Sequence, residues 1–257
     1  MSEIITVCID AAKEAGDFLQ ANFGKEIANI ETKADQSLAT NLDREAERMV
    51  VDRIRRSFPN HGIIGEESGD AGVTHEYTWI IDPLDGTHNF IRGISIFGVS
   101  IGVAYRGGFV AGAVYLPISN EMYFGEKGNG AYKNNEPIKV SSTSKLKECT
   151  VSFDSDIKTG PELKLQVLNT IADQVFNIRM FGSSARQLTY LAEGKLDGIV
   201  EFNDHTWDFA AGACIIEEAG GKITNLQGDI LMPQHNGFIA SNGLIHQEIR
   251  ETVGKYL

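Results

Sequence analysis

Several acidic side chains of this sequence fall where the backbone would aim them at a common point. In the run Trp79, Ile80, Ile81, Asp82, Pro83, Leu84, Asp85, Gly86, Thr87, a hydrophobic strand delivers Asp82 to its C-terminal end, and Pro83 stiffens a turn that brings Asp85 round to the same side. Two carboxylates meeting there, with the Leu84 carbonyl turned toward them, make a hard oxygen donor set for a cation. The amides of Gly86 and Thr87 would open a short helix, a natural seat for phosphate oxygens. Asp, Pro and Gly are also ordinary turn formers, so this run alone leaves a plain strand-ending turn open. Three more acids extend the pattern. Glu66, in Gly65, Glu66, Glu67, Ser68, follows a short apolar run and offers a carboxylate from a second loop. Asp208 falls in the first turn of a helix running to Ala219, where it would also complement the helix dipole. Asp43 stands three residues after Thr40, the spacing of a helix capping box.

The bulk composition fits a cation-dependent chemistry. The 35 Asp and Glu outnumber the 23 Lys and Arg, giving a formal charge of -12 and a pI near 4.9, which argues against nucleic-acid partners and anionic membrane surfaces. An acidic protein acting on an anionic substrate needs positive charge from elsewhere, and bound metal ions supply it. With 257 residues, 42% of them apolar, the chain is long enough to bury a sizeable core in one domain or two packed subdomains. Cys8, Cys149 and Cys214 lie far apart in apolar segments and read as buried reduced thiols. The N-terminus lacks a basic region followed by an apolar run, and the most apolar stretch, Gly93 to Ala104, falls short of the roughly 20 residues of a membrane span. The expectation is a soluble, cytoplasmic protein.

The elements that must position these acids follow from periodicity. Apolar residues at Ile4, Cys8, Ala11, Ala12, Ala15, Phe18, Leu19 and Phe23 mark one face of a helix, and Ala46, Met49, Val50 and Ile54 mark a second, reached through the polar stretch Glu31 to Gln36. Short apolar runs at Ile63 and Ile64 and at Trp79 to Ile81 predict buried strands, the latter stopped by Pro83 and Gly86. From Ile96 to Tyr105, Val110 to Leu116, Glu121 to Phe124 and Ile138 to Val140 the pattern predicts an antiparallel meander packed on the two leading helices. After Ser141 strands and helices alternate: Thr150 to Phe153, Glu162 to Ile171, Phe176 to Met180, a helix through Leu188 and Leu191, Gly198 to Glu201, Trp207 to Ala219, Ile223 and Thr224, Phe238 to Ser241, and a closing helix. The reading is an α+β subdomain over 1–140 with most of the acids, and an α/β subdomain over 141–257 supplying Asp208.

Together these features resemble the inositol monophosphatase family of magnesium-dependent, lithium-sensitive phosphatases. The resemblance covers nearly the whole chain and rests on three ordered motifs: Gly65 to Ser68; Asp82 to Thr87 with Asn89 and Phe90; and Trp207, Asp208, Ala210, Ala211 and Gly212 with the later Glu218, Ala219, Gly220 and Gly221. It implies a five-layer α/β/α/β/α sandwich and a homodimer. It assigns Glu66, Asp82 and the Leu84 carbonyl to a first magnesium ion and Asp82, Asp85 and Asp208 to a second, with a third near Glu66. Glu66 and Thr87 would orient and deprotonate the attacking water, Asp43 would bond Thr87, and no phosphoenzyme would form. No His or Cys stands among the first-metal ligands, which argues against zinc. The resemblance also places Glu201 where a sugar hydroxyl is contacted and Gly182 and Ser183 along the substrate pocket, with Asp85, Gly86, Thr87 and Asp208 also facing the substrate.

Alternatives remain at this point. Haloacid-dehalogenase-type phosphatases also place two aspartates after a hydrophobic strand, but at D-x-D spacing with the first as nucleophile; Asp82 and Asp85 are three apart. Taken by itself, Glu201 reads equally well as an exposed strand-end carboxylate. His88 and the run Gly182, Ser183, Ser184, Ala185, Arg186 depart from the family pattern. Arg186 reads first as a solvated residue on a helix face, and otherwise as an anchor for a second phosphate. Inositol monophosphate is the leading substrate, with fructose 1,6-bisphosphate, a nucleotide 3'-phosphate, NADP and histidinol phosphate as relatives. A metal-binding regulatory module without turnover is the alternative of another class.

Overall fold

A computed structural model describes residues 1–27, 29–32, 38–69 and 75–257 and the backbone of Asp70; the polar stretch read from Glu31 to Gln36 lies outside the described residues from position 33 on. Helix α1 (Glu3–Asn22) starts where the Ser2 hydroxyl accepts from the Ile5 amide; it buries Cys8, Ala11, Ala12, Ala15 and Leu19 of the expected stripe together with Ile5 and Val7, while Ile4, Phe18 and Phe23 are partly buried. A small antiparallel ribbon, β1 (Ile30–Thr32) and β2 (Leu38–Thr40), leads into α2 (Asn41–Ser57). Asp43 and Thr40 close a capping box there, so the local reason for that acid holds.

The first sheet comprises β3 (Gly62–Gly65), β4 (Gly69–Asp70), β5 (Tyr77–Asp85), β6 (Gly98–Tyr105), β7 (Gly108–Leu116), β8 (Glu121–Glu126), β9 (Ala131–Lys133) and β10 (Glu136–Pro137), in the order β10-β9-β8-β7-β6-β5-β3-β4, with short helix α3 (Thr87–Ile91) following β5. The meander is antiparallel, whereas β3 runs parallel to β5. Two expectations are corrected here. Pro83 does not stop its strand: β5 continues to Asp85. Ile138 to Val140 form no strand: the last edge bond runs from the Ile138 amide to the Ala131 carbonyl at 3.0 Å, and the Val140 amide bonds instead to the Ala219 carbonyl.

The second sheet joins β11 (Thr150–Phe153), β12 (Asn177–Arg179), β13 (Gly198–Glu201), β14 (Lys222–Thr224) and β15 (Phe238–Ser241) in the order β12-β11-β13-β15-β14, with the first three parallel. Between these strands run α4 (Pro161–Ala172), α5 (Ser184–Ala192) and α6 (Thr206–Glu218), and α7 (His246–Val253) closes the chain. The layers are α1 and α2, the first sheet, α5 and α6, the second sheet, and α4 with α7, each interface filled by its own apolar cluster. Cys8, Cys149 and Cys214 are buried free thiols within those clusters, as expected. The middle helices belong to the second half of the sequence yet cover a face of the first sheet, so Asp208 on α6 is carried to strands laid down a hundred residues earlier.

That seating depends on glycine. Gly102, Gly112 and Gly125 are directly paired neighbours across β6, β7 and β8. A Cβ at Gly102 would stand 2.6 Å from the Ala210 Cβ, one at Gly112 would stand 2.4 Å from the Ala211 carbonyl oxygen, and one at Gly125 would stand 3.1 Å from the Ile215 Cα. Backbone therefore lies against backbone where α6 crosses the sheet. Replacing Gly112 by Val should lower stability by roughly 1–3 kcal/mol through overpacking, read as a lower urea midpoint at unchanged slope.

Candidate active site

The β5 end delivers two carboxylates by a device more specific than a turn. Asp82 pairs with Ser100 and Asp85 with Gly98, so a step of three residues on β5 faces a step of two on β6, a one-residue bulge. On a regular strand, residues three apart point to opposite faces; the extra residue restores Asp82 and Asp85 to the same side. Pro83 suits the bulge because it has no amide to lose from the ladder. The Asp82 carboxylate accepts from the Leu84 amide at 3.0 Å, which holds the loop shut. Gly86 follows at φ +83, where a Cβ would also meet the Ile96 carbonyl oxygen at 2.8 Å, and α3 starts at the next residue.

One oxygen each of Asp82, Asp85 and Asp208 can lie within 4.8 Å of the others. Asp208, third residue of α6, accepts from the His205 amide at 2.6 Å and so caps the helix while projecting into the cluster. Glu66 leaves the end of β3, its amide bonded to the Ile81 carbonyl at 3.1 Å, and its carboxyl shares a hydrogen bond with Asp82. Glu47, unanticipated from the sequence, pins this loop: its buried carboxylate accepts from the Glu67 amide at 2.9 Å and occupies the space a side chain on Gly65 would need. Its place four residues after Asp43, on the buried face of α2, was the available signal.

The Thr87 hydroxyl lies 2.9 Å from the Leu84 carbonyl and 3.1 Å from Asp43 Oδ1, while the amide and hydroxyl of Thr40 both bond Asp43 Oδ2. Capping and contact with Thr87 are thus two uses of one carboxylate. The Leu84 carbonyl keeps a second lone pair. His88 is exposed on α3.

Asp85 is fixed from the second half of the chain. The Ser183 hydroxyl donates to Asp85 Oδ1, and the Ala185 amide donates to Oδ2 at 3.0 Å. Ser183 thereby holds a member of the acidic cluster as well as capping α5. Gly182, at φ +64, turns its carbonyl to the Asn89 side chain at 3.1 Å. Two sequence expectations change. Glu201 is not exposed but buried, accepting from Gln187 Nε2 at 2.5 Å. Arg186 is neither solvated nor free for a phosphate: it is buried, bonded to Glu121 at 2.8 Å and to the Ser119 hydroxyl at 3.1 Å. Asp204 and Gln187 also line this region, and the sequence reading passed over both.

The electrostatics are one-sided. Burial first, then the charges of Glu66, Asp85 and Asp208, pushes the Asp82 carboxyl well above the ordinary carboxylate range. Burial raises Asp85 to about 6 despite the hydrogen bonds from Ser183, Ala185 and Ser184. Asp208 is driven well up by burial and by Asp204, Glu66 and Asp85, and Glu201 by burial, Asp204 and Asp154. Among the described residues, no ion pair with Lys, Arg or His reaches Asp82, Asp85, Asp204, Asp208 or Glu201. An all-oxygen cluster that lacks a protein cation and raises its own proton affinity fits hard divalent ions, magnesium foremost.

Known proteins agree with this arrangement. The model of the inositol monophosphatase family matches residues 1–257. The chain is 37% identical over 260 residues to the fructose-1,6-bisphosphatase/inositol-1-monophosphatase of Aquifex aeolicus, covering 100% of this chain and 97% of the relative. It is 36% identical over 260 residues to the Nus factor SuhB of Vibrio cholerae, covering 98% and 97% of the two chains. An IMPase of Thermotoga maritima superposes with a TM-score of 0.90 at 34% identity over 99% of this chain and 98% of that one. The carboxylate cluster, the five layers and the full-length match converge: this chain belongs to the inositol monophosphatase family, magnesium-dependent hydrolases of phosphate monoesters.

Proposed function

We propose that this enzyme hydrolyses myo-inositol monophosphate by direct attack of water, with two or three magnesium ions held by Glu66, Asp82, the Leu84 carbonyl, Asp85 and Asp208. The observation that carries the reading is the convergence of Asp82, Asp85 and Asp208 within 4.8 Å, with none of the three in an ion pair among the described residues. Bound there, the ions would supply Lewis acidity toward phosphate oxygens and lower the pKa of water. The chain's own residues do the rest. The amides of Gly86 and Thr87, at the start of α3, seat the phosphate. Thr87, donating its hydroxyl proton to Asp43 Oδ1, leaves its oxygen free to accept a proton from the attacking water. That proton passes to Thr87 Oγ1 as the Thr87 proton passes to Asp43, whose carboxyl burial already raises. Glu66 orients the same water. The water oxygen bonds to phosphorus, the ester P–O bond breaks, and the departing alkoxide takes a proton from solvent water while Asp43 returns the proton it received to solvent. Ser183, through Asp85, and Gly182, through Asn89, hold the pocket wall, and Glu201 accepts from a substrate hydroxyl.

Support for inositol phosphate comes from the family and from the name of the Aquifex relative, which also carries fructose 1,6-bisphosphate. The Vibrio relative's name keeps a regulatory module as the second reading. Phosphate release from a panel of inositol, sugar, nucleotide and histidinol phosphates, with and without magnesium, separates them; no release from any ester supports the module. A labile aspartyl-phosphate trapped on Asp82 would replace the direct-attack scheme. A homodimer in the cytoplasm completes the proposal, checked by light scattering on the purified protein and by fractionation; no described helix is long and apolar enough to cross a membrane.

Asp85→Asn and Asp208→Asn should each lower kcat/KM more than about 100-fold, while unfolding in EDTA at pH 8 stays at or above the wild-type value because a repelling charge is gone. The pH dependence has a definite sign. Asp85 at about 6 and Asp204 at about 7 are held above their unfolded values, as are Asp82, Asp208 and Glu201. Their stability contribution is full at low pH and is lost as pH rises through those folded values. Urea midpoints in EDTA should therefore fall from pH 5.5 to pH 8, and magnesium should restore most of the loss at pH 8.

A further inference from the structure

Asp204 stands beside the acidic cluster, held by the first turn of α5 and close enough to Asp85 and Asp208 for their charges to interact. The consecutive serines opening α5 each hold one carboxylate: Ser183 donates to Asp85, and the Ser184 hydroxyl donates to Asp204 Oδ2 at 2.5 Å. One turn along, Gln187 Nε2 reaches the Ser184 oxygen at 3.3 Å and Glu201 Oε1 at 2.5 Å. Asp85, Asp204 and Glu201 are thus linked in an arc around the first turn of α5 through Ser183, Ser184 and Gln187, with Asp204 also bearing on Asp208 of the acidic cluster. The backbone of Asp204 is tied as well, its carbonyl accepting from the Gly237 amide at 2.9 Å. Its side chain is only half-buried, and among the described residues Asp204 Oδ1 takes no hydrogen bond.

The cations that could serve this arc are committed elsewhere. Lys164, fully buried, pairs with Asp154 at 2.7 Å and donates to the Asp156 carbonyl at 2.7 Å. Arg186 turns to Glu121. Among the described residues no arginine or lysine is bonded to Asp204 or Glu201, and Lys164 reaches Asp204 only as a neighbouring charge beyond its own pair with Asp154; an alcohol extending from a phosphate at the acidic cluster past Ser184 would meet these two carboxylates. Hydroxyl groups satisfy those oxygens; a second phosphate or a carboxylate meets like charge in a partly desolvated site.

We infer that Asp204 is a specificity-determining residue that restricts this enzyme to monoesters of neutral, hydroxyl-rich alcohols and rejects substrates bearing a second anionic group. This rests on the phosphatase reading above and narrows it, setting fructose 1,6-bisphosphate, nucleotide bisphosphates and NADP apart from inositol monophosphate.

The test compares fructose 1-phosphate with fructose 1,6-bisphosphate, the second of which carries a further phosphate on O6, at pH 8 with saturating magnesium. The wild type should show the higher kcat/KM on the monophosphate. Asp204→Asn, which keeps an acceptor for Ser184, should raise the bisphosphate-to-monophosphate ratio of kcat/KM about tenfold, equivalent to about 1.4 kcal/mol, with the change residing in KM for the bisphosphate. Asp204→Ser, checked for folding alongside it by circular dichroism, should shift the ratio the same way. A wild type that prefers the bisphosphate overturns the inference, as does a folded variant whose ratio stays within about twofold of wild type. A wild type that releases phosphate from neither these esters nor inositol 1-phosphate overturns the phosphatase reading instead.

Discussion

Mutual repulsion among buried carboxylates is the constraint around which this molecule is organised. Asp82, Asp85 and Asp208 stand within reach of one ion although burial and proximity favour their protonation. The backbone overcomes that tendency by tethering each acid separately. A bulge turns Asp85 to the side of Asp82, a capping box holds Asp208, and the α5 N-terminus grips Asp85. Each tether also serves local structure, so the acids cannot relax apart without fraying a helix end or a strand. The remaining imbalance is electrostatic, and divalent cations bound there would offset it and so couple the folded state to the loaded site.

The five layers turn that requirement into a location. α5 and α6 lie between the two sheets, and their N-terminal turns carry Ser183, Ser184 and Asp208 to the end of β5. Side chains from either half of the sequence meet at this rim. Glu218, at the far end of α6, accepts from the amides of Gly128 and Gly130 at 2.8 and 2.7 Å, so the helix is tied to the first sheet at both ends.

Much of this was readable beforehand because it is local. Apolar period marked the longer helices and the central strands of both sheets, though not the short strands β1, β2, β4, β9 and β10, and Asp43 announced its capping box through Thr40. What escaped was set by distant partners. Pro83 reads as a strand stop in isolation, yet β6 continues to pair beyond it through the bulge. Arg186 and Glu201 look like surface charges until Glu121, 65 residues away from Arg186, and Gln187 are brought beside them. Ile138 to Val140 had strand-forming residues, but after the Ile138 amide bonds Ala131 the chain leaves the edge for the end of α6. Asp204 was visible only as one more acid between Glu201 and Asp208, since its meaning depends on the serine opposite.

The glycine row beneath α6 also limits how far Asp208 can travel. Asp208 rides on a helix whose main chain meets the main chain of the sheet at Gly102 and Gly112, with no long side chain between them to rearrange. The sheet thereby sets the depth of that carboxylate, and any shift of α6 would have to carry β6 and β7 with it.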